Sequence, residues 1–245
     1  MKQLTVSIVI PALNEEKNIL FTLDNTLSAL KDFGIKGEII VVNDGSTDST
    51  SLLVEKKMKE NPGIIKMISH DKPKGIGASF WDGADQSRGD AVVMIPGDNE
   101  NDTKEILRYY GLMEQVDLVI PFILNQEVRP IFRRTLSFLY RFIINTTFLV
   151  NFRYTNGTIL YKKSVLKELN HRSNGFFFQT DILIRAVKKG YLFAEVPCRL
   201  GARKGGTSKA ITLSSLAQLI KEYFHLAKDY YFKKEKNGKT NTRWS

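Results

Sequence analysis

The sequence predicts an α/β chain in which a mostly parallel sheet is flanked by helices. Three observations carry this. Through the first half, short β-branched runs alternate with segments of helical spacing. Three of these runs end in a polar cluster, as expected where a parallel sheet offers its carboxyl edge to a ligand. The composition, 42% hydrophobic and 25% charged over 245 residues, supplies a sizeable core. The longest stretch without a charge, residues 3–14, is too short to cross a bilayer.

The elements follow in order. Residues 6–10 are apolar and β-branched and stop at Pro11, which reads as a strand buried on both faces. Residues 15–30 place Ile19, Leu20, Leu23, Leu27 and Leu30 at helical spacing. Residues 38–42 form a second buried strand, and Ser46 or Asp48 is placed to cap the next helix. Residues 64–68 predict a third strand, 75–87 a short helix and 91–95 a fourth strand. The second half is less regular. Residues 182–189 predict a helix, 193–197 a strand and 203–209 a Gly/Lys-rich loop. Residues 211–232 predict an amphipathic helix, and 233–245 a basic tail. The expected organisation is one domain over residues 1–210, with a first half (1–118) and a second half (119–210), then that helix and tail.

Charge divides the chain. Residues 1–118 hold 13 Lys+Arg against 19 Asp+Glu, a net −6, whereas residues 119–245 hold 23 against 7, a net +16. The basic half calls for an anionic partner. No nucleic-acid motif is present, and the acidic half would repel a phosphate backbone. The one cysteine, Cys198, excludes an intramolecular disulfide. No leader pattern opens the sequence, so a cytoplasmic location is expected.

The polar clusters hold the chemistry. Asp98 and Glu100 lie two residues apart after the fourth strand, where both can reach one hard cation such as Mg²⁺. An acidic surface turn explains the pair about equally well. Asp44, beside Asn43, ends the second strand, where nucleotide-binding sheets often hold a ribose or base. An Asx turn with Gly45 explains it too. Gly75-Ile76-Gly77 lacks the third glycine and the strand of a dinucleotide loop, so a hydride-transfer enzyme is not expected. His70, His171 and His225 are scattered and receive no catalytic part. Phe176, Phe177 and Phe178 read as core.

The ordered set Ser7-Ile8-Val9-Ile10-Pro11-Ala12-Leu13-Asn14-Glu15-Glu16, Val41-Val42-Asn43-Asp44-Gly45-Ser46-Thr47-Asp48 and Gly75-Ile76-Gly77-Ala78, with Gly83 and Gly89-Asp90, resembles family 2 glycosyltransferases of the GT-A fold. Glu195-Val196-Pro197 followed by Arg203, Gly206, Ser208 and Lys209 is similar to their polyprenyl-phosphate (dolichyl-phosphate) hexose synthase branch. The resemblance implies transfer of a sugar, usually with inversion, from a nucleotide sugar to a polyprenyl phosphate at the membrane surface, with Mg²⁺ or Mn²⁺ as cofactor. It implies that Pro11, Leu13, Asn14, Glu15, Asn43, Asp44, Lys74, Gly75 and Asp98 bind the nucleotide. Asp98 and Glu100 would hold the metal, although Pro96 stands where the family carries a first aspartate. Arg203 and Lys209 would meet the diphosphate and acceptor phosphate. Arg129, Arg133, Arg134, Gln179 and Ser208 would lie on the acceptor side. Asp181 would serve as general base for a hydroxyl acceptor, or position substrate for a phosphate. A family 2 transferase acting on a glycan hydroxyl and a non-catalytic sugar-nucleotide or lipid-binding module remain alternatives.

Membrane contact is expected without a span. Residues 211–232 and the lysines after them suit an anionic membrane interface, as do residues 141–152; packing on the domain or a dimer contact accounts for them equally well.

Overall fold

The computed structural model describes residues 5–200 and 213–232. Its elements in chain order are β1 (Val6–Ala12), α1 (Ile19–Asp32), β2 (Gly37–Asn43), α2 (Thr50–Glu60), β3 (Ile65–Ser69), α3 (Ile76–Gln86), β4 (Ala91–Met94), α4 (Thr103–Leu107), β5 (Leu118–Ile123), α5 (Ile131–Phe148), β6 (Leu160–Lys162), α6 (Lys163–Lys167), α7 (Phe178–Lys188), β7 (Phe193–Cys198) and α8 (Leu213–Phe232). The strands form one seven-stranded sheet in the order β3-β2-β1-β4-β6-β5-β7. β1, β2, β3 and β4 run parallel, and β6 enters antiparallel between β4 and β5. The two sequence halves therefore share one sheet.

The apolar runs of β1 and β2 exist because both their faces are covered. Ile8, Ile10, Ile39 and Val41 pack into one core with Leu23 and Val54. Val9, Ile40 and Val42 point the other way, against Phe80, Phe178 and Tyr161. At the opposite edge from the polar loops, Glu38 is buried. Burial pushes its carboxyl up, but the Ser7 hydroxyl, the Arg88 amide and Lys66 outweigh it and hold the carboxyl below its ordinary value.

Three of the boundary differences from the sequence reading bear on the site. β1 runs through Pro11 to Ala12, in register with Val42 and Asn43. Ladder pairing with β4 ends at Met94, before Pro11 would have to donate. Residues 15–18 form a turn before α1, with the Asn18 and Ile19 amides donating to the Glu15 carbonyl. α7 begins at Phe178, four residues before the expected start at 182, so Asp181 lies within its first turn. Phe177 and Phe178 are buried as expected, whereas Phe176 is exposed.

Candidate functional site

The end of β1 is gripped from both sides. The Ala12 carbonyl accepts from the Asp44 amide at 2.9 Å, and the Pro11 carbonyl accepts from the Gly97 amide at 3.0 Å. The polar loops after β1, β2 and β4 thereby meet at one edge of the sheet. Asn14, in the left-handed region at φ 56°, zips the first two loops together. Its amide donates to the Ser46 hydroxyl at 2.9 Å, and its side-chain oxygen accepts from the Thr47 amide at 2.8 Å. The Glu15 amide donates to Thr50 Oγ1, and the Glu15 carboxylate accepts from Asn18 Nδ2. Leu13 is half-buried in the same loop.

Asp44 is the best-held carboxylate of this edge, at 5% exposure. One oxygen receives His70 Nδ1 at 2.7 Å and the Lys74 amide at 2.8 Å; the other receives the Gly75 amide at 2.9 Å. Burial pushes the carboxyl up, but these three donors outweigh it and hold it below the usual carboxylate value. His70 Nε2 in turn meets Asp82 at 2.8 Å. The sequence reading gave His70 no part, because it lies 26 residues from Asp44 and 12 from Asp82 along the chain and meets them only in the folded structure. Asn43 accepts the Ser46 amide at 3.1 Å and shapes the turn, as an Asx residue does. The Lys74 ammonium lies 3.4 Å from Asp82 at the surface.

Gly75 and Gly77 have a packing reason. Gly75 sits at φ 102°, and a Cβ on Gly77 would stand 2.5 Å from the Ser173 carbonyl oxygen. The Gly77 amide donates to the Asn174 carbonyl at 2.9 Å. The start of α3 is thus closed by the segment that leads into α7, and the first three loops are joined to the Gln179 side of the molecule.

In the β4 loop, Asp98 accepts the Glu100 amide at 3.0 Å, and both residues are half-buried. Asn99, at φ 57°, accepts from Asn25 Nδ2 and ties the loop to α1. Among the described residues, no group of three His, Cys, Asp or Glu side chains stands close enough to hold a metal ion. Two carboxylates from one short loop fit part of the shell of a hard cation, with phosphate oxygens and water completing it.

On the far side, Gln179 Nε2 donates to the Gly157 carbonyl. Asp181 is 1% exposed, and both its oxygens accept from Arg185 Nε at 3.0 Å. Arg185 also reaches Asp229 of α8 at 3.0 Å, and His171 meets Asp181 at 3.2 Å. The His171 and His225 rings stack at 4.6 Å, so these two histidines belong to an ionic cluster joining α7 to α8. Arg129 donates to the Tyr154 hydroxyl at 3.2 and 3.3 Å and lies over its ring. Arg133 and Arg134 sit on α5, Arg133 partly covered and Arg134 exposed. Arg203, Ser208 and Lys209 lie outside the described residues.

Sheet order and strand-edge site together define a GT-A fold, as the sequence resemblance implied. A crystal structure of glucosyl-3-phosphoglycerate synthase from Mycobacterium tuberculosis in complex with Mn²⁺, UDP and glucosyl-3-phosphoglycerate shares it, with a TM-score of 0.69, 22% identity, and coverage of 93% of this chain and 80% of that one. Residues 7–170 match glycosyl transferase family 2, and the chain belongs to that family. It is similar to an undecaprenyl-phosphate 4-deoxy-4-formamido-L-arabinose transferase of Pseudomonas fluorescens (strain SBW25), 34% identical over 132 residues, 53% of this chain and 38% of the relative. It is also similar to a dodecaprenyl-phosphate galacturonate synthase of Rhizobium johnstonii, 24% identical over 172 residues, 69% of this chain and 51% of the relative. The chain thus spans about half the length of these relatives, or less.

Proposed function

We propose that the protein is a glycosyltransferase that moves a sugar from a nucleotide sugar to a polyprenyl phosphate, with inversion. The observation that carries this reading is the convergence of the Asn14, Asn43-Asp44 and Asp98–Glu100 loops on the end of β1, joined through Gly77 to the segment before Gln179. The relatives named for undecaprenyl and dodecaprenyl phosphate support the choice of acceptor.

In the proposed step, an acceptor phosphate oxygen attacks the anomeric carbon of the donor. The carbon–oxygen bond to the diphosphate breaks, and the nucleoside diphosphate leaves with that electron pair. Asn14, Asn43, Asp44, Lys74 and Gly75 hold the nucleoside end. Asp98 and Glu100 would hold Mg²⁺ or Mn²⁺, which neutralises the leaving diphosphate when bound. The structural neighbour was crystallised with Mn²⁺ and UDP, which supports a divalent cation and a nucleoside diphosphate as ligands of this fold. A phosphate acceptor is already anionic at pH 7 and needs no base. The burial of Asp181 and its pairing with Arg185 favour this over a hydroxyl acceptor with Asp181 as base. Arg203, Lys209 and Ser208, with Arg129, Arg133 and Arg134, supply the phosphate-binding cations and donors of the basic half. The acceptor places the protein at a membrane surface, on the cytoplasmic side, where nucleotide sugars are made.

The test is incubation with a polyprenyl phosphate, a panel of nucleotide sugars and Mg²⁺ or Mn²⁺, with glycolipid detected by mass spectrometry. A glycosylated lipid phosphate is expected with at least one donor. Absence of product with every donor, together with no binding of any nucleoside diphosphate, overturns the reading.

A further inference from the structure

We propose that α5 lies along an anionic lipid bilayer with its outward face dipped into the headgroup layer. This inference rests on the polyprenyl-phosphate reading above, whose acceptor would lie in that bilayer. α5 is amphipathic in reverse. Of its 18 residues only Ile144 and Phe148 are buried. At a helix's spacing of about 100° per residue, the exposed positions other than Arg134 gather in one sector spanning about 160°. Ile131, Phe132, Phe138, Leu139, Phe142 and Ile143 lie there, with Thr135 and Thr146 among them. Ile131 and Phe132 are 78% and 74% exposed. The sector contains no charged residue, and α5 contains no acidic one. A water-facing helix carries the opposite pattern.

The chemistry of the occupant follows from the flanks. Arg134 and Arg141 lie about 40° and about 60° beyond one edge of the apolar sector, and Arg133 about 60° beyond the other. Apolar residues bordered by arginines fit acyl chains beneath anionic headgroups. A second copy of the chain fits less well, because a two-fold contact through this face would set its arginines against their own mates. No described helix is long and apolar enough to cross a membrane, so α5 would lie on the surface rather than span it. Behind it, α5 packs on α8 through Thr147–Tyr223 and the Phe148 and Tyr230 rings. Tyr140 bonds Thr180 at 2.8 Å, next to Gln179. A docked α5 therefore holds the Gln179 end of α7 within about one helix diameter, ~10–12 Å, of the lipid surface. A lipid-borne phosphate could reach the site there without leaving the bilayer.

The test is co-sedimentation of the full chain with phosphatidylglycerol-containing vesicles and with pure phosphatidylcholine vesicles, in the absence of any nucleotide sugar. Binding to the anionic vesicles is expected, at least about ten-fold tighter than to phosphatidylcholine, from the contribution of the flanking arginines. Phe132→Glu/Phe142→Glu and Leu139→Glu/Ile143→Glu should each reduce it by about ten-fold or more at unchanged thermal midpoint. As a variant that keeps the apolar face intact, Phe142→Trp should show a blue-shifted emission increment over wild type on vesicle addition. Wild-type protein that ignores anionic vesicles, glutamate pairs that bind as wild type, or an unshifted emission increment from the Phe142→Trp variant would each overturn the proposal. So would a dimer in lipid-free buffer that the glutamate pairs dissociate. Vesicle binding without any sugar transfer upholds the surface and defeats the transfer reading. Transfer to lipid phosphate in detergent without vesicle binding does the reverse.

Discussion

Asp44→Asn is the substitution whose cost the structure sets most closely. The carboxylate takes three donors: His70 Nδ1 and the Lys74 amide on one oxygen, the Gly75 amide on the other. An asparagine offers one oxygen and one NH₂ group. Whichever way the amide turns, its N–H faces a donor that has lost its acceptor. One lost hydrogen bond to a buried charge is worth about 1.5–3 kcal/mol, and the stranded donor adds to it, so the expected destabilisation is about 2–4 kcal/mol. The pH dependence has a fixed sign. Asp44 has a folded pKa below its unfolded value, so its contribution is complete above the ordinary carboxylate pKa and is lost as pH falls through the folded one. Urea denaturation of wild type and variant should show a constant gap from about pH 7 to about pH 4.5, narrowing below. Nucleoside diphosphate affinity should fall together with stability, because the Lys74–Gly75 loop loses its anchor. A gap below about 1 kcal/mol at neutral pH, or one that persists undiminished at about pH 3, would refute the assignment of Asp44 as an anionic loop clamp.

Other consequences follow from single contacts. Gly77→Ala places a Cβ 2.5 Å from the Ser173 carbonyl oxygen and should cost about 1–3 kcal/mol by urea denaturation. Gly111→Ala, which meets nothing within 4 Å, should stay within about 0.5 kcal/mol of wild type. Asp98→Asn and Glu100→Gln should each weaken Mn²⁺-dependent nucleoside diphosphate binding by calorimetry while leaving metal-free binding near wild type. Burial pushes the Cys198 thiol up to about 12, so iodoacetamide at about pH 8 should label the urea-unfolded chain and leave the folded chain unmodified over the same time.

The first half of the fold was readable because its strands are covered on both faces and so are continuously apolar, and because their polar ends stand out against them. The second half showed β7, expected at residues 193–197, but hid β5 and β6 for physical reasons. β6 has three residues, too few for any period to show, and it joins the sheet antiparallel between β4 and β5. β5 carries Pro121, which counts against a strand, yet its ladder to β6 covers only Leu118 and Val119. α7 begins without a capping side chain among buried phenylalanines, so its start could be found only from the packing of Phe177 and Phe178. The site shows the same division. Asp44 and Asp98 were marked by their place after strands. His70 and Asp82 were not, because their partnership exists only once β3 and α3 fold beside the Asp44 loop.

The excess of carboxylates in the first half now has a different physical basis from the one its charge alone implies. Asp48 accepts the Thr50 amide and hydroxyl and the Glu16 amide; Glu16 accepts the Ser49 amide; Glu15 accepts Asn18; Asp44 accepts three donors. Asp44, Glu16 and Asp48 join loop to loop, and Glu15 shapes its own turn, so these carboxylates act as strong acceptors where backbone amides have left the sheet ladder. Under the proposed reading, cation binding at this edge is assigned to Asp98 and Glu100, the pair that follows β4. Replacing Asp48 by Asn should loosen the joint between the β1 and β2 loops and lower stability, yet leave the apparent metal affinity of the nucleotide complex unchanged. If metal affinity fell as far as it does on replacing Asp98, the acidic edge would be acting as one cation-binding field rather than as separate hydrogen-bonded joints.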